Sequence, residues 1–311
     1  MIAIAPLVLA AACGDHDGVD TVASATTAPT VSNVTTGPTR MEVAHLTLDL
    51  VDTSRPTPAG AGLPHADERR LVTEVYVPAG TGPFPFIAFS HGLNGHPRKF
   101  TRLLGAWAEA GYAVAAPAFP LSNDEVPGEA TFADLAAQPG DISFLIDRLL
   151  ALSADEDDPL YGTVDPEHIG VAGLSLGGAT TYGVAFNDCC LDERPIAAMV
   201  LDGARLAVGG EFHMGSGLPL LIMHADEDFT LPYADAADTY VDAAPPKYLV
   251  TIHEAAHASP YENDPDPADE MVTATTIAFW DRYLRDDQTA EQRLIDAVTP
   301  TRLATLESEP S

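Results

Sequence analysis

Short apolar runs alternate with longer amphipathic segments from Met41 to about residue 285. An apolar run of about four to eight residues bounded by turn residues is typical of a buried strand. Apolar residues recurring three and four positions apart are typical of one helix face, as in the segment 140–152. The alternation therefore predicts an α/β protein with a mostly parallel sheet flanked by helices.

The pattern assigns thirteen elements to the chain. Strands are predicted at 42–51, 71–77, 84–89, 112–116, 168–172, 196–201, 218–223 and 248–252, the first two antiparallel. Helices are predicted at 98–110, 140–152, 176–185, 234–242 and 268–284. No gap between these elements is long enough for a large inserted domain, so we expect one domain over residues 41–311.

The segment before Met41 has a different character. Residues 1–17 begin with an apolar stretch that ends in Ala10-Ala11-Ala12-Cys13, the pattern of a signal sequence with a bacterial lipobox. Residues 18–40 are rich in Thr, Ala, Ser, Val and Pro without periodicity, which predicts a flexible tether. We expect an exported protein attached to the cell envelope through a lipidated Cys13. Ordinary secretion and an apolar start without meaning remain alternatives, because no Lys or Arg precedes the stretch.

Charge removes one class of partner. The 311 residues include 15 Lys and Arg against 46 Asp and Glu, a formal charge of −31. Proteins that bind a phosphate backbone need clustered cations, so nucleic acid is excluded as an expected partner. With 46% hydrophobic residues the chain is otherwise typical of a globular protein.

Cys189 and Cys190 are adjacent in the sequence. Consecutive Cα atoms are about 3.8 Å apart, whereas a disulfide prefers about 4.4–6.8 Å. We therefore expect two free thiols, with a bond between neighbours as the alternative in an exported protein.

The segment Gly173-Leu174-Ser175-Leu176-Gly177 matches the nucleophile-elbow pattern G-x-S-x-G. It follows a predicted strand and precedes a predicted helix, which is the context this motif requires. The small residues allow a sharp turn that holds the serine at the end of the sheet. Ser175 is the predicted nucleophile.

An acid is expected after a later strand. Asp226, Glu227 and Asp228 all follow the strand at 218–223. We assign Asp228, because His224 and Pro232 frame it in the pattern H-x-x-x-D-x-x-x-P that resembles the acid loop of hydrolases. Asp226 remains the rival.

A base is expected after the last predicted strand. His257 lies in a loop beyond that strand and can reach both a serine and an acid, whereas His253 is still at the strand end. The order Ser175, Asp228, His257 is that of α/β-hydrolases rather than of the chymotrypsin or subtilisin groups.

Two backbone N–H groups are expected to form an oxyanion hole. Leu176 follows the nucleophile, and Leu93 lies in the loop Ser90-His91-Gly92-Leu93-Asn94-Gly95 after an earlier strand. Removing one such donor costs about 2.7–4 kcal/mol of transition-state stabilisation. We interpret His91 as a residue that orders this loop.

Over about residues 70–285 the chain resembles serine α/β-hydrolases grouped with platelet-activating-factor acetylhydrolase, chlorophyllase, cutinase-type polyester hydrolases and dienelactone hydrolase. The segments that carry the resemblance are FSHGLNG, WAEAGYAVAAPAFP, VDPEHIGVAGLSLGGAT, LPLLIMHADEDFTLP and IHEAAHASPY. The resemblance implies an α/β-hydrolase fold and this triad. Dienelactone hydrolases usually have Cys at the position of Ser175, and polyester hydrolases have other neighbours of the serine than Leu174 and Leu176. The tryptophan that polyester hydrolases carry after the sixth strand has no counterpart in LDGARLAVGG.

The expected activity is hydrolysis of short or medium acyl esters, small or polymeric, by a monomer without cofactor or metal. Phe119, Phe229 and Tyr261, with Leu93, are expected to border an open, shallow site. The alternatives are a thioesterase or peptidase on the same scaffold, a non-catalytic binding protein, and a calcium site among the acids of the segment 264–269. The excess of acids predicts a preference for neutral over anionic esters.

Overall fold

A single nine-stranded sheet organises the computed structural model, which describes residues 40–311. The strands, β1 to β9 in chain order, are Val43–Asp52, Arg69–Pro78, Phe84–Ser90, Ala113–Ala118, Val164–Leu174, Pro195–Leu201, Leu220–Ala225, Lys247–Ile252 and Ala304–Glu309. Their order across the sheet is β1-β2-β4-β3-β5-β6-β7-β8-β9. The six central strands, β3 to β8, run parallel to one another. The outer strands β1, β2 and β9 pair antiparallel with their neighbours.

Within residues 40–311, six α-helices cover both faces of this sheet. In chain order, α1 to α6 are Thr101–Glu109, Gln138–Ala154, Leu176–Phe186, Tyr233–Asp242, Asp269–Leu284 and Ala290–Val298. The core on one face includes side chains of α1, α5 and α6, and the core on the other includes those of α2, α3 and α4. The predicted α/β architecture, a mostly parallel sheet flanked by helices, is therefore confirmed.

The two cores follow from the period of the strands. Successive side chains of a strand point to opposite faces. In β3, Ile87 and Phe89 enter one core while Phe86 and Ala88 enter the other, and all four are buried. A strand covered on both faces therefore appears in the sequence as a continuous apolar run.

Two elements near the C-terminus are absent from the sequence prediction. Helix α6 and strand β9 follow the last predicted helix. Strand β9, with sequence ATLESE, lies at the sheet edge and is largely exposed. Its register is supported by β8 and by an ion pair of 3.1 Å between Lys247 Nζ and Glu309 Oε1. An edge strand with one exposed face lacks the apolar run by which buried strands are found.

Within residues 40–311, no connection between consecutive parallel strands holds more than one α-helix. The 202–219 connection between β6 and β7 holds only a short 3₁₀ turn, Met214–Ser216. The part of the chain that the structure describes therefore contains no inserted lid domain.

The predictions for the N-terminus concern residues that the structure does not describe. The predicted signal segment 1–17 with Cys13, and the tether 18–40 except Arg40, lie outside the described residues. Across residues 40–311, no helix combines the length and the apolar character that crossing a membrane requires.

Cys189 and Cys190 form a disulfide in the structure, with Cα atoms 3.8 Å apart. The expectation of two free thiols is therefore wrong, and the alternative is the one found. Asn187 shapes this turn, because its Oδ1 accepts the N–H of Cys189 at 3.0 Å and its carbonyl accepts that of Cys190 at 3.1 Å.

A buried ion-pair network joins β2 to α2. Arg69 donates from Nε and Nη2 to Asp141 at 2.6 Å each, and from Nη2 to Asp134 at 2.8 Å. Asp134 also accepts the N–H of Leu121 and the hydroxyl of Ser122. The network therefore fixes the loop after β4, which runs beside the candidate site.

Candidate active site

Ser175 occupies the junction at which β5 ends and α3 begins. Its backbone has φ 56° and ψ −116°, a region that non-glycine residues rarely adopt. A Cβ on Gly173 would overlap the Gly177 carbonyl, and a Cβ on Gly177 would overlap the Ser90 carbonyl. These glycines are therefore what lets the turn place a strained serine at the carboxyl end of the sheet.

Asp228 follows β7 in a tight loop. Its Oδ1 accepts the N–H groups of Thr230 at 2.7 Å and Leu231 at 2.9 Å. The ring of His224 packs below, with Nε2 3.0 Å from the Leu231 carbonyl and 3.3 Å from Asp228 Oδ2. The carboxylate is thus held by its own loop, with Oδ2 directed at His257.

His257 lies between the other two residues. Its Nδ1 is 2.6 Å from Asp228 Oδ2, and its Nε2 is 2.9 Å from Ser175 Oγ. An ionised carboxylate only accepts hydrogen bonds, so Nδ1 carries the proton and Nε2 accepts the Ser175 hydroxyl. The structure therefore brings the three predicted catalytic residues into one hydrogen-bonded chain.

The rival residues form a second pair. Asp226 Oδ2 lies 2.8 Å from His253 Nδ1, and Asp226 Oδ1 accepts the N–H of Glu254 at 2.8 Å. This pair joins the ends of β7 and β8 and makes no hydrogen bond to Ser175, Asp228 or His257. Of the two acids that the sequence offered as partners of the base, only Asp228 therefore bonds to His257.

Two free backbone donors border the nucleophile. Among the described residues, the N–H groups of Leu93 and Leu176 donate to no acceptor. A Cβ on Gly92 would lie 3.1 Å from Ser175 Cβ, so the loop that carries Leu93 passes directly against the nucleophile. The arrangement has the two donors that an oxyanion hole needs.

His91 holds this loop in place, as the sequence suggested. Its Nε2 accepts the N–H of Phe119 at 3.0 Å, and its Nδ1 donates to the Gly92 carbonyl at 2.7 Å. The side chain is fully buried, and burial lowers the pKa of His91 to about 4, against a smaller opposite effect of the Gly92 carbonyl. A neutral imidazole therefore connects the Leu93 loop to the loop after β4.

The loop that carries His257 is clamped to the start of α1. Asn263 Oδ1 accepts the N–H of Arg102 at 3.0 Å and the hydroxyl of Thr101 at 3.1 Å, while its Nδ2 donates to the Arg98 carbonyl at 2.8 Å. Arg102 in turn donates to the Glu262 carbonyl at 2.9 Å. Helix α1 has no side-chain cap from its own N-cap residue, so the distant Asn263 supplies one.

The residues expected to border the site divide into two groups. Leu93 is 43% and Phe229 is 95% exposed, as a surface contact requires. Phe119 and Tyr261 are 0% exposed. Phe119 packs against the His91 ring, and the Tyr261 hydroxyl points to Asp202 at 3.4 Å. The expectation that these two rings border an open site is corrected: both support it from the interior.

A small apolar cluster around Leu176 has no counterpart in the sequence prediction. Leu135 and Ala179 pack with Leu176, and Leu206 and Val208 cover them as partly buried residues. Leu206 and Val208 come from the loop after β6, which has no helical or strand period. Their position in the loop directly after a parallel strand is the sequence feature that could have placed them near the site.

Residues of the same loop, Leu206 among them, line a cavity of about 280 Å³. Arg205 and Phe212 line it together with Asp235 and Asp238 of α4. No member of the Ser175, Asp228 and His257 triad lines it.

Asp202, at the end of β6, is a further residue that sequence reasoning missed. It is fully buried, and one oxygen of Asp202, one of Asp228 and one ring nitrogen of His257 all lie within 4.8 Å of one another. These three are the described residues whose spacing would suit a metal ion. Their hydrogen bonds already occupy them, because both carboxylates accept backbone N–H groups.

Two of the acids considered for calcium, Asp266 and Asp269, have other partners. Asp266 accepts the N–H of Ala268 and the hydroxyl of Ser259, and Asp269 accepts the N–H of Asp266 and pairs with Arg102. These contacts organise the start of α5.

Comparison with known proteins assigns no family. No protein-family model matches the chain, and no curated protein matches it significantly.

Proposed function

We propose that this protein is a serine ester hydrolase of the α/β-hydrolase fold that acts through an acyl-enzyme. The observation that carries the proposal is the chain from Asp228 through His257 to Ser175, with distances of 2.6 and 2.9 Å, beside two free N–H donors. The nucleophile, acid and base follow β5, β7 and β8 in that order, which is the α/β-hydrolase order.

In the first half-reaction, Ser175 Oγ attacks the ester carbonyl while His257 Nε2 takes the hydroxyl proton. Asp228 keeps the Nδ1 proton in place and stabilises the imidazolium. The carbonyl oxygen becomes an oxyanion held by the N–H groups of Leu93 and Leu176. His257 then returns the proton to the departing alcohol, and the acyl group remains on Ser175.

In the second half-reaction, water replaces the alcohol. His257 takes one proton from the water as its oxygen attacks the acyl carbonyl, and then returns a proton to Ser175 Oγ. The products are a carboxylic acid and the free enzyme. The residues of the site provide every proton transfer in this cycle.

The proposed substrates are neutral esters with short or medium acyl chains, small or at the ends of a polymer. The absence of an inserted domain between the parallel strands of residues 40–311 supports an open site. Exposed Leu93 and Phe229 offer apolar contacts at its border.

A series of nitrophenyl esters of increasing acyl length tests the proposal. Wild type is expected to hydrolyse the shorter members, and Ser175→Ala to lower kcat by at least about 1,000-fold. A fluorophosphonate probe is expected to label wild type and not the variant. Full activity of Ser175→Ala would overturn the assignment, and faster cleavage of matched thioesters or amides than of esters would move the activity to those classes.

Attachment to the cell envelope through Cys13 stays a prediction of the sequence. Incorporation of a labelled fatty acid by wild type, and its loss in Cys13→Ala, would support it.

A further inference from the structure

Asp202 is a buried carboxyl group at the point where three strand ends meet. It follows β6, is 0% exposed, and has a positive φ of 41°. A left-handed backbone at a non-glycine residue is uncommon and is retained where the surroundings determine it strongly. The mechanism derived above gives this group no role.

The Asp202 side chain bridges the two loops that carry the acid and the base. Its Oδ1 accepts the N–H of Ala225 at 2.8 Å, three residues before Asp228. Its Oδ2 accepts the N–H of Ala258 at 2.9 Å, directly after His257. One carboxylate therefore links the residue that leads to the acid with the residue that follows the base.

The charges around Asp202 belong to the same site. The groups that face it are His224 and Asp228 from the β7 end, and His257 and Tyr261 from the loop after β8. Burial raises the pKa of Asp202, while His224 and the two backbone N–H groups act in the opposite direction. Both oxygens accept a backbone N–H, which favours the ionised carboxylate. A protonated carboxyl group would need an acceptor for its O–H.

We propose that Asp202 is a positioning residue, which sets the His257 imidazole for proton transfer by holding Ala258 and adds a second negative charge beside the imidazolium. The proposal rests on the proposed ester hydrolase function. Substrate does not touch Asp202, so its effect falls on turnover rather than on substrate binding. Misplacing a catalytic group by about 1 Å costs about 100-fold in rate.

Asp202→Asn in the full chain tests this. The amide oxygen replaces one acceptor, but the amide nitrogen faces the other N–H, so one loop contact and the charge are both lost. We expect kcat for a nitrophenyl ester to fall about 10- to 100-fold, with KM within about threefold of wild type. The acid limb of the kcat/KM profile is expected to move about one pH unit lower, because protonation of the imidazole becomes less favourable.

Asp226→Asn is the matched control. Asp226 accepts the N–H of Glu254 at 2.8 Å and joins the same two strand ends, without contacting the triad. Its kcat and its pH profile are expected to match those of wild type. A residue that served the fold alone would change the melting temperature in either variant and leave the pH profile in place.

Asp202→Asn with wild-type kcat and an unmoved profile overturns the proposal. If Asp202→Asn does not fold, Asp202→Ser repeats the test, and failure of both to fold overturns the positioning role in favour of a purely structural one. A wild type that hydrolyses no ester overturns the proposed function instead, and the rate of fluorophosphonate labelling of Ser175 then compares wild type with Asp202→Asn directly.

Discussion

Two Asp–His pairs lie side by side at the ends of β7 and β8, and the pair Asp228–His257 is the one that reaches Ser175. Asp228→Asn would present an amide N–H to His257 Nδ1 and favour the tautomer that cannot accept the serine proton. We expect kcat to fall about 10,000-fold with little change in the melting temperature. Steady-state kinetics on a nitrophenyl ester measures this.

The neighbouring pair supplies the comparison for that prediction. Asp226→Asn is expected to leave kcat within about twofold of wild type, since Asp226 is exposed and makes no hydrogen bond to the triad. The opposite ranking of the two variants would transfer the role of acid to Asp226.

His91 predicts a pH dependence of stability. Its pKa is about 4 in the folded protein, against an ordinary value of 6.5. Between these two pH values the unfolded chain is protonated at His91 and the folded chain is not. The stability from this residue is complete above pH 6.5 and is lost as the pH falls toward 4. Between pH 7 and 5, wild type is expected to lose about 2 kcal/mol more of its unfolding free energy than His91→Gln.

Urea unfolding at the two pH values measures this difference. His65→Gln is the control, because the His65 side chain is 56% exposed. The control is expected to follow wild type. Equal losses in wild type and His91→Gln would show that His91 is not held neutral.

A functional residue could be predicted from the sequence where a motif or a preceding apolar strand identified its position. Ser175, Asp228 and His257 stand in motifs and follow apolar strands, so their positions followed from order along the chain. No motif identifies Asp202 or the buried Arg69 in the sequence. They are satisfied by partners from other elements, Asp202 by the N–H of Ala258 and Arg69 by Asp141, and those contacts exist only once the chain has folded.

Among the elements, burial on both faces decided what could be predicted. Strands β3 and β7 are continuous apolar runs and were placed within two residues of their observed bounds. Strand β9 has one buried and one partly buried residue, Ala304 and Leu306, and its other residues are exposed and polar, which is also the pattern of a loop. Phe119 and Tyr261 follow the strands β4 and β8 as expected, but whether a ring faces solvent or the interior depends on packing against His91 and Asp202.

The contact between the His257 loop and α1 predicts that replacing Asn263 lowers both stability and turnover. This side chain caps the N-terminus of α1 through the N–H of Arg102 at 3.0 Å. Asn263→Ala is expected to lower the free energy of unfolding by about 1 kcal/mol, the usual cost of a lost cap. Because the same residue anchors the loop of the base, kcat is expected to fall several-fold while KM stays near that of wild type.

Chemical unfolding and ester kinetics on the same preparations check both effects. Gln292→Ala removes an exposed side chain that donates to Asp296 within α6, and is expected to change neither quantity. A loss of stability in Asn263→Ala with unchanged kcat would show that the clamp serves the helix alone.

At the scale of the whole molecule, the formal charge is −31, whereas the proposed reaction acts on an uncharged ester bond. Glu262 lies in the loop that carries His257; burial raises its pKa, and Lys99 acts in the opposite direction. Fixed negative charge at the mouth of a site lowers the local concentration of anionic substrates, and salt screens the effect over about 10 Å at 0.1 M.

We therefore expect a salt-dependent preference for a neutral butyrate ester over an anionic hemisuccinate ester of the same alcohol. The ratio of kcat/KM for the neutral ester to that for the anionic ester is expected to exceed one at low salt. It is expected to fall at least about threefold between 20 and 500 mM NaCl. Glu262→Gln is expected to lower the low-salt ratio while leaving kcat for the neutral ester in place. A ratio independent of salt would show that the acidic surface does not act on the substrate, and would leave its role to solubility and folding alone.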